Sequence, residues 1–127
     1  MIVADYSAEV DFERLEDVMA ILDIRDEFGQ NSFYLSFEED YPYLVLDVNH
    51  LYVVAHYFEK EGCVYVAQAE TKNADVAEYT IFRQGTIEEF DAHREFILDM
   101  HKAKLIVEDF FLYKECSKRI SWYSLLK

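Results

Sequence analysis

Residues 32–70 read SFYLSFEEDYPYLVLDVNHLYVVAHYFEKEGCVYVAQAE, and this stretch decides the fold. Apolar residues recur in it with a period of two, which is typical of β-strands that bury one face. The alternation is interrupted by the turn signals Glu39-Asp40-Tyr41-Pro42, Asn49-His50 and Lys60-Glu61-Gly62. Short connections of this kind join antiparallel neighbours, so the stretch predicts a meander of four strands.

The sequence on either side of the meander predicts two helices. Apolar residues from Phe12 to Leu22 recur at spacings of three and four, which predicts a helix capped by Asp11 or Ser7 and stopped by Gly29. A second helix is predicted from about Asp99 to Glu115.

Two shorter segments complete the predicted fold. Residues 78–83 indicate an optional fifth strand, and residues 120–124 a short final one. We therefore expect an α+β fold, in which an antiparallel meander sheet of four to six strands packs against two helices in the order α-β-β-β-β-(β)-α-β.

The composition indicates a single domain over residues 1–127. Hydrophobic residues make up 52% of the chain, which is enough to bury a core, and one proline with three glycines leaves no stretch that resembles a linker. We find no basic leader and no apolar run near the roughly 18–20 residues of a membrane span. Cys63 and Cys116 lack the spacing of a metal site and are too few for a disulfide scaffold, so we expect a reduced, cytoplasmic protein.

The formal net charge is −14 and is unevenly distributed. Residues 1–40 hold twelve acidic residues against two basic ones, residues 41–98 ten against four, and residues 99–127 four against six. Such an excess fits either general solubility or a basic partner. It argues against direct binding to nucleic acid or to an anionic membrane, since both need Lys and Arg.

Motifs that would carry chemistry are missing from the sequence. The four histidines lack the HExxH spacing of zinc proteases, and His93-Arg94-Glu95 lacks the downstream Pro-Cys-x-x-Cys of zinc deaminases. No nucleophile motif occurs, and the glycines stand too far apart to cradle a phosphate. The carboxylate runs 38–40 and 88–89 are interpreted as solvated turns. We expect no catalytic residue, no metal and no cofactor, with a small hydrolase using His56 and Glu59 as a minor alternative.

The aromatic residues allow two interpretations. Six phenylalanines lie at predicted core positions: Phe33, Phe37, Phe58, Phe82, Phe110 and Phe111. Six tyrosines alternate with core positions or lie in turns: Tyr34, Tyr41, Tyr43, Tyr52, Tyr57 and Tyr79. Each tyrosine alone can be an ordinary half-exposed strand residue, but the group favours an interface.

Two parts of the chain carry a family resemblance. The last third holds Phe96-Ile97-Leu98-Asp99-Met100, Ala103, Glu108-Asp109-Phe110-Phe111 and Ile120-Ser121-Trp122-Tyr123-Ser124-Leu125, and the centre holds residues 43–48 and 54–58. In these segments and in element order, the chain resembles immunity protein family one of bacterial polymorphic toxin and contact-dependent growth inhibition systems. The chain departs from that family at Asn49-His50, where the family's hairpin is often rich in glycine.

The resemblance implies a non-catalytic domain that binds the cognate toxin C-terminal domain, one to one, and blocks it. Such toxins are often nucleases, whose active clefts are basic, so an acidic inhibitor would complement them. The first candidates for toxin contact are Glu38, Glu39, Asp40, Tyr41 and Tyr43. The second are Glu59, Glu61, Glu70 and Tyr79, and a further patch is Glu88, Glu89 and Asp91. The alternative function is an acidic DNA mimic or regulator that blocks a host nucleic-acid-binding protein.

Overall fold

A computed structural model of the protein describes residues 1–69, 76–84 and 88–125. Its elements in chain order are β1 (Ile2–Ala4), β2 (Glu9–Asp11), α1 (Leu15–Ile21), β3 (Gln30–Ser36), β4 (Tyr43–Asn49), β5 (Tyr52–Lys60), β6 (Cys63–Gln68), β7 (Tyr79–Gln84), β8 (Glu88–His93), a 3-10 turn (Arg94–Phe96), β9 (Leu98–Asp99), α2 (Met100–Tyr113) and β10 (Ser121–Ser124).

The predicted fold class is confirmed. The strands β3 to β6 form the expected antiparallel meander at the centre of an eight-stranded sheet, ordered β10-β6-β5-β4-β3-β1-β2, in which β9 also pairs with β5. The predicted final strand is β10, and it closes one edge by pairing with β6. The other edge holds β1 and β2, which the sequence did not predict because each has only three residues.

One face of the large sheet is covered by the two helices. Phe33, Leu44, Leu46 and Ala55 point to this side and are fully buried. They form one core with the inward residues of the helices, which are Val18, Leu22, Ala103, Ile106, Val107 and Phe110. We call this side of the sheet the helix face.

The opposite face is partly covered by a second, two-stranded sheet. The strand β7 is the predicted fifth strand, but it pairs with β8 and not with the meander. Phe82 and Ala92 of this hairpin pack in a second buried cluster with Val54 and Val66 of the large sheet. We call this side of the sheet the hairpin face.

Side-chain hydrogen bonds attach the hairpin to the rest of the molecule. Asn49 Nδ2 donates to the carbonyl of Ile81 over 2.9 Å. The Tyr6 hydroxyl donates to the carbonyl of Arg83 over 3.0 Å, and the Arg83 amide donates to Gln30 Oε1 over 3.2 Å. These bonds fix where the hairpin lies over β3 and β4.

The first helix is shorter than predicted. Asp11 lies in β2, opposite Ile2, and does not cap the helix. Neither does Ser7, because α1 begins at Leu15 after Arg14, whose side chain makes no capping hydrogen bond. The strand pairing of residues 9–11 therefore overrides the helical periodicity at the start of the segment.

Gly29 does not end the helix but forms the turn that enters β3. Its φ of +76° lies in the left-handed region, and a Cβ there would meet the His50 ring at 2.6 Å. The helix itself ends at Ile21, after which the Arg25 guanidinium donates to the carbonyls of Leu22, Ile24 and His50.

The second helix lies close to its predicted range. Asp99 caps it, since its Oδ1 accepts from the Lys102 amide over 2.8 Å, and Lys114 ends it with a φ of +56°. After the helix, Arg119 donates to both carboxylate oxygens of Asp109 over 3.0 and 2.8 Å. Within the described residues, neither helix has the length and apolar character needed to cross a bilayer.

Asp47 is a buried carboxyl between the large sheet and the hairpin. It lies on the hairpin face of β4 and is 0% exposed. The Ser32 hydroxyl donates to its Oδ1 over 2.7 Å, while its Oδ2 has no hydrogen-bond partner. Burial raises the pKa of Asp47 to about 6. At neutral pH the fold therefore holds an incompletely satisfied buried charge.

We expect Asp47→Asn to stabilise the protein near neutral pH. A carboxyl whose folded pKa lies above its unfolded value is protonated more in the folded state, so it destabilises the fold increasingly as pH rises from about 4 to 6. The cost above that window is at most about 3 kcal/mol. Urea unfolding of both proteins should show a stability difference that changes by about 1–3 kcal/mol between pH 7 and pH 4. The exposed control Asp91→Asn should show little such change, and a pH-independent difference for Asp47→Asn would contradict the assignment.

Candidate protein-binding surface

Three aromatic rings lie in a row on the hairpin face of the large sheet. Tyr43 of β4 is directly opposite Phe58 of β5, and Tyr34 of β3 is diagonal to Tyr43. The ring centroids of Tyr34 and Tyr43 are 4.6 Å apart, those of Tyr43 and Phe58 are 4.3 Å apart, and both pairs are stacked. We call these three residues the aromatic row. It arises because strand alternation brings all three to the same face.

The row continues into the segment that connects β3 to β4. The Tyr41 ring lies 5.5 Å from that of Tyr43. Tyr34 is 42% exposed and Tyr41 is 38% exposed, so both present ring area to solvent. Burial raises the pKa of Tyr34 and of Tyr43. Tyr43 and Tyr41 raise the pKa of Tyr34 further, and Tyr41 raises that of Tyr43, whereas the hydrogen bond with Tyr34 lowers the pKa of Tyr43. Their hydroxyls are therefore protonated at neutral pH and are hydrogen-bonded to each other.

A groove of about 350 Å³ runs beside the row. Its described lining is Ala4, Asp5, Tyr6, Ser32, Tyr34, Tyr43, Val45, Phe58 and Gln84. Burial raises the pKa of Asp5, but hydrogen bonds from Ser7 and Ala8 outweigh burial, so the net pKa is lowered. The groove thus combines flat aromatic walls with a carboxylate that is ionised and held in place.

The first-choice candidates from the sequence divide into two locations. Asp40, Tyr41 and Tyr43 lie at the aromatic row, where Asp40 is close enough to raise the pKa of Tyr34. Glu38 and Glu39 are exposed but line a different cavity, of about 230 Å³, together with Lys114 at the end of α2. The structure therefore does not bring the acidic run 38–40 together as one patch.

The second-choice candidates that the structure describes lie apart from the aromatic row. Glu59 interacts with Tyr65, which packs against the core of the helix face. Glu61 is exposed in the turn between β5 and β6. Tyr79 is 59% exposed on the hairpin, and its ring lies 5.2 Å from that of His93. Glu70 lies outside the described residues.

The third candidate patch lies in a strand. Glu88 and Glu89 begin β8, so the interpretation of this run as a solvated turn is wrong. Both are exposed and face the end of β7, where Gln84 is paired with Glu88. Asp91 is also exposed and is paired with Ile81.

The sequence assigned two neighbouring aromatic residues to the wrong environments. Tyr57, expected at the interface, is buried in the helix-face core near Phe110 and Trp122. Burial raises the pKa of Tyr57 to about 12. Phe58, expected in the core, is half-buried in the aromatic row. Val53, Ala55 and Tyr57 are alternate residues of one strand and share a face. This alternation already indicated that Tyr57 is buried and that Phe58 lies on the opposite face.

The structure does not bring together His56 and Glu59, the two residues that the hydrolase alternative requires. His56 contacts Phe58 and Phe90 on the hairpin face, whereas Glu59 interacts with Tyr65 of the helix-face core. In residues 1–69, 76–84 and 88–125, no three His, Cys, Asp or Glu side chains are grouped to hold a metal ion. What the described surface offers is an aromatic face with carboxylates beside it.

The stacking in the aromatic row should be measurable as a coupling free energy. Aromatic pairs contribute about 0.5–1.5 kcal/mol beyond their buried area. A double-mutant cycle of Tyr43→Leu and Phe58→Leu, followed by urea unfolding, should therefore give a coupling of that size. The control cycle of Tyr79→Leu and Phe58→Leu should be additive, because the Tyr79 ring makes its contact edge-to-face with His93 and not with Phe58. Additivity of the first pair would show that the row is not stacked in solution.

Comparisons with known proteins assign no family to the chain. No protein-family model matches it, and no curated protein matches it in sequence. The resemblance to immunity protein family one stays a prediction.

Proposed function

We propose that this protein is an immunity protein, which binds the basic C-terminal domain of a cognate toxin delivered by neighbouring bacteria and blocks its activity without itself being an enzyme. A nuclease is the first candidate for the toxin. The observation that carries the proposal is the aromatic row, exposed beside Asp5 and Asp40 on a chain with a net charge of −14.

The aromatic row has the properties of an interface centre. Tyrosine and phenylalanine rings bury a large area on binding and lose little conformational entropy, which is why aromatic residues are enriched at energetically dominant contact positions. The core of the helix face lies directly beneath the row and is already filled. The three rings of the row lie outside that core. Contact with another protein would bury the area that they still expose.

The row is also held rigidly. It lies on three central strands, β3 to β5, that are joined by continuous antiparallel pairing. A preformed surface avoids the entropy cost of ordering flexible side chains on association. Rigidity of this kind suits tight one-to-one inhibition of a folded domain.

The charge of the protein supports a basic partner. An acidic surface speeds encounter with a basic domain and disfavours other acidic proteins. A nuclease must attract polyanionic nucleic acid, so its active cleft is basic. An acidic protein that lies over such a cleft would compete directly with the substrate.

We expect this chain to protect cells that express the toxin fragment encoded directly upstream of its gene, and Tyr43→Ala to weaken that protection. Truncation of a central aromatic residue at an interface costs about 2 kcal/mol or more, which is a loss of roughly thirtyfold in affinity. Survival on co-expression and the dissociation constant of the purified complex are the measurements.

Two variants serve as controls for that experiment. Tyr79→Ala removes a more exposed tyrosine from the outer side of the hairpin and should protect as well as the unchanged protein. Full protection by a folded Tyr43→Ala protein would exclude the aromatic row as the contact surface. Absence of any protection by the unchanged protein, together with capture of a host nucleic-acid-binding protein, would favour the DNA-mimic alternative.

The association rate should depend on salt. Electrostatic steering is screened over about 8–10 Å at physiological ionic strength, so the association rate constant should fall by about tenfold or more between low and high salt. Stopped-flow mixing of the two proteins measures it. Charge reversal at Asp40 and Glu88 should reduce the low-salt rate more than reversal at Glu13 and Asp17 near α1. An association rate constant that is independent of salt would refute electrostatic steering. The survival experiment would still test the partner assignment.

A further inference from the structure

We propose that a second cavity, between β5 and the end of the β7–β8 hairpin where Gln84 pairs with Glu88, is a pocket for an arginine side chain of the partner. This inference rests on the proposed function in that it assumes a basic protein partner. The cavity has a volume of about 410 Å³ and adjoins the aromatic row.

The walls of the pocket come from both sheets and consist of three aromatic rings together with the aliphatic side chains of Val64 and Leu125. His56 and Phe58 reach it from β5, and Phe90 reaches it from β8. The His56 ring lies 6.4 Å from the ring of Phe58 and 6.4 Å from that of Phe90. Phe90 is itself stacked on the fully buried Phe82 at 5.8 Å, which fixes its position. A cation placed between these rings would face π-systems on more than one side.

The open side of the pocket carries negative charge. Glu88 and Glu89 line it together with the amide side chain of Gln84. Both carboxylates are exposed, and none of the described residues lining the pocket is a lysine or arginine. The pocket therefore presents acceptors and an acidic field to an incoming group, and its described lining holds no Lys or Arg that would compete.

Among the described residues, two basic side chains near the pocket, Arg83 and His56, do not neutralise it. Arg83 is paired with Glu89 in the hairpin register, but its guanidinium forms an ion pair with Asp26 at 3.4 Å and lies over the rings of Tyr6 and Phe28. Burial lowers the pKa of His56, so its imidazole is neutral at neutral pH and does not repel a bound cation.

Arginine fits this combination better than lysine. Its guanidinium is planar, so it stacks on aromatic rings and at the same time donates in a fork to carboxylate oxygens. The lysine ammonium is a compact point charge that is strongly hydrated, and it gains less from flat walls. Aromatic walls with carboxylates at the opening are thus matched to the guanidinium group.

The pocket is continuous with the surface proposed for the toxin. Phe58 and Gln84 line both this pocket and the groove beside the aromatic row. A partner that covers Tyr34 and Tyr43 therefore brings its neighbouring side chains to the pocket. We infer that the arginine inserts here while the surrounding surface of the partner lies on the row.

The test uses the whole chain and two small peptides, so it does not depend on any toxin. Isotope-labelled protein is titrated with the capped tripeptides Gly-Arg-Gly and Gly-Lys-Gly at low ionic strength, and NMR signals of the His56, Phe58 and Phe90 rings and the Leu125 methyls are followed. We expect millimolar binding of the arginine peptide at these signals, at least threefold tighter than the lysine peptide.

Matched variants separate the pocket from general acidity. Glu88→Gln with Glu89→Gln should weaken arginine binding at least threefold, while Glu13→Gln with Asp17→Asn, which removes the same charge near α1, should not. Phe58→Leu should reduce the preference for arginine. Equal shifts by both peptides across the acidic surface, or equal weakening by both charge variants, would overturn the pocket. Neither result would overturn the proposed function, because the survival experiment tests that separately with the toxin itself.

Discussion

The pairing register of β4 against β5 is the constraint on which the rest of the structure depends. It places Leu46 opposite Ala55 on the helix face and Tyr43 opposite Phe58 on the other. A slip by one residue would exchange every side chain between the two faces and would carry Asp47 into the helix-face core. The two-residue connection at His50 and Leu51, with His50 at a φ of +57°, fixes this register.

The large features of the fold were predictable because they depend on local patterns. The meander follows from alternation within residues 32–70, and α2 follows from apolar spacing and from the cap at Asp99. The short strands β1 and β2 carry too few residues to show a period. The pairing of β7 with β8 could not be predicted, because the strand partner of β7 depends on tertiary packing over the hairpin face.

The environments of Tyr57 and Phe58 show a second limit. The strand β5 begins Tyr-Val-Val-Ala, with apolar residues on both faces, because the helices cover one side and the hairpin covers part of the other. Two covered faces erase the contrast between inward and outward residues that sequence patterns need. The acidic excess was visible in the sequence, but the location of the candidate site was not, since Glu38 and Glu39 line a separate cavity while Asp40 lies near Tyr34.

The attachment of the hairpin has a thermodynamic consequence. In the described part of the chain, neither β7 nor β8 pairs with a strand of the large sheet, and side-chain bonds and the Phe82 cluster hold the two sheets together. A ligand that contacts Phe58 and Phe90 at the same time contacts both sheets. It therefore favours the arrangement in which the hairpin is packed on the large sheet. By linkage, whatever opens the hairpin lowers the fraction of molecules that can bind the ligand, and the apparent affinity falls in proportion to that fraction, so the bonds from Tyr6 and Asn49 act on affinity at a distance from the bound group.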